Sequence, residues 1–319
     1  MIFTIAQSIF TLLLFMGAGY LLCRCGVLPA SSAGILSRVV LWVFLPLLNF
    51  KSFAARFTPD NLRENAVPLL CGCCFVLVIY LCARLLSRGL TRDRYERRVY
   101  TYTLTMPNFA YIGYTLMAML FGEVMQVKMI VFCLPFSIWC NSEGYRLLTD
   151  GGKPSLRSFL SPPTVAVLLG MAVGLCSPWF TLPDFLMDAA ARGAACVSPC
   201  AMLLTGIALT EYRLRDMLCR PMNYVMCLLR GIAIPVLGTL ALLGVTRLLP
   251  IDPVMARECL TISALALAMP VGLNNIIFPR SCGKDCRSGA GMVLISNLLI
   301  LVTVPLVLWI FSGVILPLA

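Results

Sequence analysis

The fold of this 319-residue chain is decided by two stretches of sequence, YTLTMPNFAYIG at residues 102–113 and LALAMPVGLNN at residues 265–275. Each stretch carries the dipeptide Met-Pro in the middle of an apolar segment, with asparagine and glycine close behind it. Proline lacks a backbone N–H and clashes with the carbonyl one turn earlier, so a helix kinks or unwinds there. In a bilayer such a break is tolerated only where it is buried in protein or lines a water-filled cavity. The two stretches therefore predict a site deep inside a membrane protein.

Composition agrees with a membrane location. Hydrophobic residues make up 60% of the chain and charged residues 12%, against about 25% charged residues in soluble domains. A helix needs about 20 apolar residues to cross a bilayer. Ten segments meet that length, near 3–22, 35–53, 66–86, 99–121, 126–145, 162–180, 186–209, 224–248, 255–279 and 289–311. We therefore predict an all-α polytopic membrane protein with ten transmembrane helices.

The net charge of +11 follows the predicted topology. Sixteen of the 25 arginines and lysines follow odd-numbered segments, and seven follow even-numbered ones. The positive-inside rule then places the odd-numbered loops in the cytoplasm and both termini outside. The expected location is the plasma (inner) membrane, with the lipid bilayer as partner. Because topology explains the basic excess, we expect no nucleic-acid partner.

Prolines recur in the same order in two halves of the chain, which suggests an internal repeat. The pairs are Pro46 and Pro199, Pro68 and Pro235, Pro107 and Pro270, and Pro135 and Pro305. Each half contains five segments, which is an odd number. The second half therefore begins on the opposite side of the membrane and has the inverted orientation. Inverted repeats are typical of alternating-access transporters. We predict a first five-helix repeat at 1–148, a cytoplasmic linker at 149–161 and a second repeat at 162–319.

The two breaks indicate an anion site. Proline is favoured at the first position of a helix, so Pro107 and Pro270 are each expected to begin a new half-helix. The fourth and ninth transmembrane helices are then broken in the middle, and they are expected to cross at their breaks. Two helix N-termini that converge attract an anion through their free amides and their dipoles. The side chains and glycines expected to serve this site are Asn108, Asn274, Asn275, Gly113 and Gly272. The alternative is that the prolines only kink the helices and the asparagines bond neighbouring helices.

Two further residues are candidates at the site. Asn49, which follows Pro46, is expected to line the same cavity, with packing at a helix end as the alternative. Glu143 is the one carboxylate within reach of the membrane interior and is a candidate for proton coupling, with an interfacial ion pair to Arg146 as the alternative. The chain has no histidine, and its 16 cysteines are expected to act mostly as small hydrophobic residues. No metal and no cofactor are expected.

Around both breaks the chain resembles the auxin efflux carrier family, which includes plant PIN-type carriers and bacterial permeases. PNFAYIG at residues 107–113, followed by Phe121-Gly122-Glu123, is similar to the family's Asn-x-x-aromatic-aliphatic-Gly pattern. The second stretch is similar to its Met-Pro, Asn, Arg-x-x-Gly pattern through Met269-Pro270, Asn274, Arg280 and Gly283. The resemblance implies two inverted five-helix repeats, broken helices that cross over the substrate, and a scaffold that often forms a homodimer. Its bacterial members are usually assigned to malate, malonate or similar carboxylates.

The resulting hypothesis is a secondary transporter of small organic anions, mono- or dicarboxylates, that works by alternating access at a site in mid-membrane. Coupling to H⁺ or Na⁺ and transport down the membrane potential both stay open. An anion channel with the same site is one alternative, and a non-transporting membrane sensor or auxiliary protein is another. An enzyme is not expected, because no cluster of acids, histidines or activated nucleophiles falls at mid-membrane.

Overall fold

The computed structural model describes residues 2–153, 160–180, 182–248 and 251–318. Within these residues the chain is helical, and its one β-type pairing is an isolated antiparallel bridge between Pro107 and Val271. The principal helices are α1 Ile2–Arg24, α2 Ser32–Arg56, α3 Leu62–Leu90, α4 Arg94–Thr105, α5 Phe109–Phe121, α6 Glu123–Leu148, α7 Pro162–Leu175, α8 Asp184–Leu209, α9 Leu214–Leu218, α10 Pro221–Leu248, α11 Pro253–Ala268, α12 Asn274–Ser281 and α13 Arg287–Leu318. The prediction of an all-α membrane protein is confirmed.

Seven of these helices are long and apolar enough to cross a membrane: α1, α2, α3, α6, α8, α10 and α13. The fourth and ninth predicted segments are each divided into two helices, α4 with α5 and α11 with α12. The sixth predicted segment holds the shorter helix α7, which ends at Leu175. The count of ten crossings and the inverted repeat stay predictions, and part of the predicted linker, 154–159, lies outside the described residues.

The helices pack most closely within two groups. We call α1, α2, α7 and α8 the scaffold group, and α3–α6 with α10–α13 the core group. Small residues allow close packing between membrane helices. In the scaffold group, for example, a Cβ atom at Gly206 of α8 would overlap the carbonyl oxygen of Met16 in α1. Contacts between the groups are fewer, and they come mainly from α1 against α13 and from α2 against α6.

Prolines explain two irregular turns within long helices. Pro46 and Pro235 each follow a π-helical turn by two residues, Val40–Phe44 in α2 and Leu229–Ala233 in α10. The ring of a proline excludes the carbonyl oxygen four residues earlier, and in both helices that carbonyl lies in the π-helical turn. The wider turn accommodates the missing hydrogen bond while the helix continues. Such turns often occur at functional positions.

Ion pairs join helices at the end of the bundle away from the arginine-rich connections. Lys128 lies between Glu258 and Glu64, with Nζ–Oε2 distances of 2.6 Å and 3.1 Å. Lys51 of α2 pairs with Glu123 at the start of α6. The first cluster joins α3, α6 and α11 within the core group, whereas the second joins the scaffold group to the core group.

Candidate functional site

The two sequence breaks meet each other in the structure. The backbone N–H of Asn108 donates to the carbonyl of Pro270, with an N–O distance of 2.9 Å. The N–H of Val271 donates to the hydroxyl of Ser296 in α13, at 3.0 Å. These hydrogen bonds and the Pro107–Val271 bridge satisfy backbone groups that the helix breaks leave free. The two divided helices therefore meet at their breaks, and we call this contact the crossing.

The prolines lie between the half-helices instead of within their first turns. The helix α5 begins at Phe109, two residues after Pro107, and α12 begins at Asn274, four residues after Pro270. The expectation that each proline begins a half-helix is therefore wrong in this detail. A residue before proline is held out of the helical conformation, and Met106 and Met269 are both extended. The chain consequently needs a short extended link before the next helix begins.

A cavity of about 230 Å³ opens beside the crossing. The scaffold group lines it with residues of α2 and α7, and the core group lines it from the opposite side. Five of the predicted site residues line it: Asn49, Pro107, Asn108, Gly272 and Asn274. The cavity lining that the structure describes contains no charged side chain. Its aromatic residues are Tyr102, Phe109, Tyr111, Tyr114 and Phe278.

Asn108 and Asn49 bring hydrogen-bonding capacity to this cavity. The residue Asn108 is 6% exposed, and its side chain makes no hydrogen bond with the described residues, although Asn108 lines the cavity. Asn49 uses its Nδ2 to donate to the carbonyl of Pro163, at 3.1 Å, while its buried Oδ1 has no hydrogen-bond partner in the described chain. Buried polar groups are normally paired. The unused amide of Asn108 is therefore available to a ligand in the cavity.

Asn274 belongs to a small polar cluster that the sequence did not reveal. Its Nδ2 donates to the thiol sulfur of Cys140, at 3.2 Å. The hydroxyl of Tyr102 contacts the same sulfur, also at 3.2 Å. Tyr102 begins the first of the two decisive stretches, but nothing in the spacing of the sequence pairs it with Cys140. The cluster joins α4, α6 and α12 at the wall of the cavity.

Three predicted site residues build the crossing without lining the cavity: Gly113, Pro270 and Asn275. Asn275 is fully buried, accepts a hydrogen bond from the Thr103 hydroxyl at 3.0 Å, and so joins α12 to α4. A Cβ atom at Gly113 would lie 3.1 Å from Cγ of Met269. The absence of a side chain at Gly113 therefore lets the second break pack against α5.

Glu143 lies away from this cavity. Its carboxylate accepts a hydrogen bond from the hydroxyl of Tyr80 at 2.8 Å and from the guanidinium of Arg146 at 2.7 Å and 2.9 Å. This pairing is the alternative that the sequence left open. A role of Glu143 in coupling stays a prediction, and the described structure gives it no contact with the crossing.

The sequence reasoning missed Arg230. This side chain is fully buried on the π-helical turn Leu229–Ala233, and none of its three guanidinium nitrogens has a hydrogen-bond partner in the described residues. The turn packs against α4 and α11, the two half-helices that lead into the crossing. An ionisable residue inside a membrane segment is functional by default. Its position within the predicted segment 224–248 was therefore a usable signal.

The fold and the crossing define a class of protein, a polytopic helical membrane protein with two divided helices that meet beside a cavity. A family model described as "Membrane transport protein" matches residues 4–154 and 146–308. The chain belongs to this family, which is the auxin efflux carrier family, and the resemblance seen in the sequence is confirmed. It is an integral membrane protein of a family of membrane transport proteins.

A curated relative agrees with this assignment. An "Uncharacterized transporter" of Methanothermobacter thermautotrophicus is 28% identical over 176 residues. The aligned part covers 53% of this chain and 57% of the relative, so the chain spans little more than half the length of the curated relative it matches. The relative is therefore a transporter by name, and the activity, substrate, coupling ion and a homodimer of this chain remain predictions.

Proposed function

We propose that the protein is a secondary transporter of small organic anions that binds its substrate at the crossing and works by alternating access. The observation that carries this proposal is the arrangement at the two breaks. The starts of α5 and α12 both adjoin one cavity, through Asn108 and Asn274, and the side-chain amide of Asn108 has no partner among the described residues. The dipole of each helix places about half a positive charge at its N-terminus. Together they favour a carboxylate.

The lining of the cavity narrows the class of anion to small monocarboxylates with an apolar body. A second carboxylate would need its own positive partner, because a charge moved out of water without compensation is very costly. The described lining offers no arginine or lysine for it, whereas five aromatic side chains and Leu41, Leu45, Ile130 and Leu134 suit an apolar group. Dicarboxylates are therefore expected to bind more weakly.

The position of the cavity between the two groups of helices supports alternating access. Lining residues Ser37, Asn141 and Ser161 lie at the helix ends next to the basic connections, which the positive-inside rule places in the cytoplasm. At the opposite end, Lys51 pairs with Glu123, and the Ser52 hydroxyl donates to Gln126 at 3.1 Å. We infer that this conformation is open to the cytoplasm. Opening to the outside then requires the core group to move along the scaffold group and break these contacts.

Three sources of energy could drive transport: an H⁺ gradient, a Na⁺ gradient and the membrane potential. The described cavity contains no carboxylate to carry H⁺ or to bind Na⁺, although backbone carbonyls at the breaks are potential Na⁺ ligands. The membrane potential alone contributes about 2.3 kcal/mol per charge per 100 mV. A monovalent anion moving outward down this potential needs no coupling ion.

The test is transport by the full-length protein in liposomes. Uptake of aliphatic and aromatic monocarboxylates, and of dicarboxylates of matched length, is measured first under an imposed potential and then under imposed H⁺ and Na⁺ gradients. We expect saturable uptake of monocarboxylates, accelerated by substrate on the far side. Currents that rise linearly with substrate, with no such acceleration, would instead establish a channel and overturn the proposed mechanism.

Asn108→Ala tests the site itself. A hydrogen bond to a charged group contributes about 1.5–3 kcal/mol, so uptake at low substrate is expected to fall by about tenfold to a hundredfold. Asn274→Ala is expected to act in the same direction. Ser312→Ala, at an exposed position near the end of α13, is the control for insertion and reconstitution. Full activity of both asparagine variants would exclude the crossing as the binding site.

A further inference from the structure

A second cavity, of about 270 Å³, lies between the ends of α3, α4 and α6 that adjoin the basic connections. It shares no lining residue with the cavity at the crossing. Its lining includes six arginines and one carboxylate, that of Glu143. The arginines are Arg84, Arg88, Arg94, Arg97, Arg98 and Arg146.

Most of this positive charge is not neutralised by the protein. Arg146 pairs with Glu143, and Arg98 pairs with Asp150. The other four arginines have no carboxylate within 4 Å in the part of the chain that the structure describes: Arg84, Arg88, Arg94 and Arg97. The Nε of Arg97 is also buried without a hydrogen-bond partner among the described residues.

A bound anion would offset the repulsion among these arginines, of which Arg84, Arg88 and Arg94 are exposed and Arg97 is partly buried. Like charges that line one small cavity repel each other. Arg94 and Arg97 also lie in the first turn of α4, where the helix dipole disfavours cations. The positive-inside rule accounts for the number of basic residues on this side of the membrane, but it does not require four unpaired arginines to surround the same cavity.

The same helix face that supplies two of these arginines continues as apolar surface. Leu77, Leu81, Arg84 and Arg88 follow each other at intervals of four, three and four residues, so they lie along one face of α3. Both leucines are more than half exposed, at 58% and 57%. An apolar strip that leads into a cluster of arginines matches a lipid, with acyl chains beside the leucines and a headgroup in the cavity.

We infer that this cavity binds the phosphate group of an anionic phospholipid. The planar guanidinium of arginine holds phosphate oxygens through paired, charge-assisted hydrogen bonds. Basic pockets between transmembrane helices on the cytoplasmic side are suited to anionic headgroups. The site lies wholly within the core group, so a bound lipid moves with that group or restrains it against the membrane. The inference does not depend on which anion is transported.

The test measures binding to the full-length protein purified in detergent. The probes are dioctanoyl phosphatidylglycerol, dioctanoyl phosphatidylcholine and inorganic phosphate, and the readouts are native mass spectrometry and the shift in Tm. The variant is Arg84→Gln with Arg97→Gln. The control, Arg92→Gln with Arg215→Gln, removes the same charge from exposed arginines that do not line the cavity.

We expect phosphatidylglycerol to bind the wild type and the control equally, and to bind the Arg84→Gln/Arg97→Gln variant about tenfold or more weakly. Arg84→Lys with Arg97→Lys retains the charge without the paired geometry and is expected to be intermediate, which separates loss of binding from loss of folding. Three results would overturn the inference: equal loss in the cavity variant and the control, no preference over phosphatidylcholine, or saturation by inorganic phosphate with no gain from the lipid.

Discussion

Asn108 and Asn274 occupy equivalent breaks, yet their side chains have different surroundings. The Asn274 amide donates to the Cys140 thiol, whereas the Asn108 amide has no partner among the described residues. A substrate can therefore form a new hydrogen bond with Asn108, whereas at Asn274 it has to compete with the existing hydrogen bond to the Cys140 thiol. We expect Asn108 to discriminate carboxylates from neutral molecules, and the Cys140 cluster to tune affinity.

Cys140→Val tests that second role. The substitution keeps the size of the side chain but removes the hydrogen-bond partner of both Tyr102 and Asn274. A net hydrogen bond contributes about 0.5–1.5 kcal/mol, so we expect KM for uptake to rise by roughly threefold to tenfold. Cys140→Ser, which retains a hydrogen-bonding group, should stay near the wild type.

Cys133→Val is the matched control for this prediction. Cys133 lies two turns earlier on the same helix, is also buried, and makes no side-chain hydrogen bond with the described residues. If Cys133→Val and Cys140→Val change KM equally, general repacking of α6 is the cause and the polar cluster has no specific role.

The substitution Arg230→Met is expected to change stability and transport in opposite directions. A buried charge without a partner is costly, and replacing buried charges by hydrophobic residues often stabilises a protein. We expect the free energy of unfolding to rise by about 2 kcal/mol, measured as a higher Tm in detergent, while transport falls. The expected loss follows from position, because the turn that carries Arg230 packs against α4 and α11, the half-helices that lead into the crossing.

The opposite result has a clear meaning. A lower Tm for Arg230→Met would show that the guanidinium has stabilising partners in the membrane. Arg230→Lys keeps the charge and is expected to retain more transport than Arg230→Met. Equal transport by wild type and Arg230→Met would exclude a functional role for the charge.

At the scale of elements, the sequence located the breaks and proposed Asn108 and Asn274, which line the cavity, but it did not separate Asn274 from Asn275. The Met-Pro dipeptides fix where α4 and α11 end, since proline acts locally on its own chain. The rotational position of α12 about its own axis instead depends on the link 271–273 that precedes it. Successive residues in a helix point about 100° apart, so Asn274 lines the cavity while Asn275 bonds Thr103. Only tertiary structure decides between the two.

Gly113→Ala tests how tightly the elements pack at the crossing. The new Cβ atom would lie 2.8 Å from Cε of Met129 and 3.1 Å from Cγ of Met269. Overpacking of this kind costs about 1–3 kcal/mol, so we expect a lower Tm and slower uptake. Gly17→Ala is the control, because Gly17 is helical and a Cβ atom there meets nothing within 4 Å. Equal Tm values for the two variants would show that α5 and the second break are not closely packed.

At the scale of the whole molecule, specific polar contacts join the two groups of helices at the end away from the basic connections. The cavity reaches the helix ends beside the basic connections, and the Lys51–Glu123 pair joins the groups at the far end. The hydroxyls of Thr115 and Ser198 add a further link between the groups, at 2.7 Å. These contacts exist only when the core group is in its present position, so they stabilise the conformation that we infer to face the cytoplasm.

Glu123→Gln is expected to weaken that conformation relative to the outward-facing one. An ion pair that is partly exposed contributes up to about 1 kcal/mol, which corresponds to a change in the population ratio of roughly fivefold or less. The apparent affinity of a state falls with its population. In liposomes of known orientation, KM measured from the cytoplasmic side should rise, and KM measured from the other side should fall.

This reciprocal change is what distinguishes a shifted conformational equilibrium from damage to the binding site, which would raise KM on both sides. Asp285→Asn is the matched control, since it removes an ion pair with Arg287 at the basic end without separating the two groups of helices. It should leave both KM values unchanged. If Glu123→Gln also leaves them unchanged, the Lys51–Glu123 pair does not hold the two groups together, and the contacts of Gln126 and Ser198 become the remaining candidates for that role.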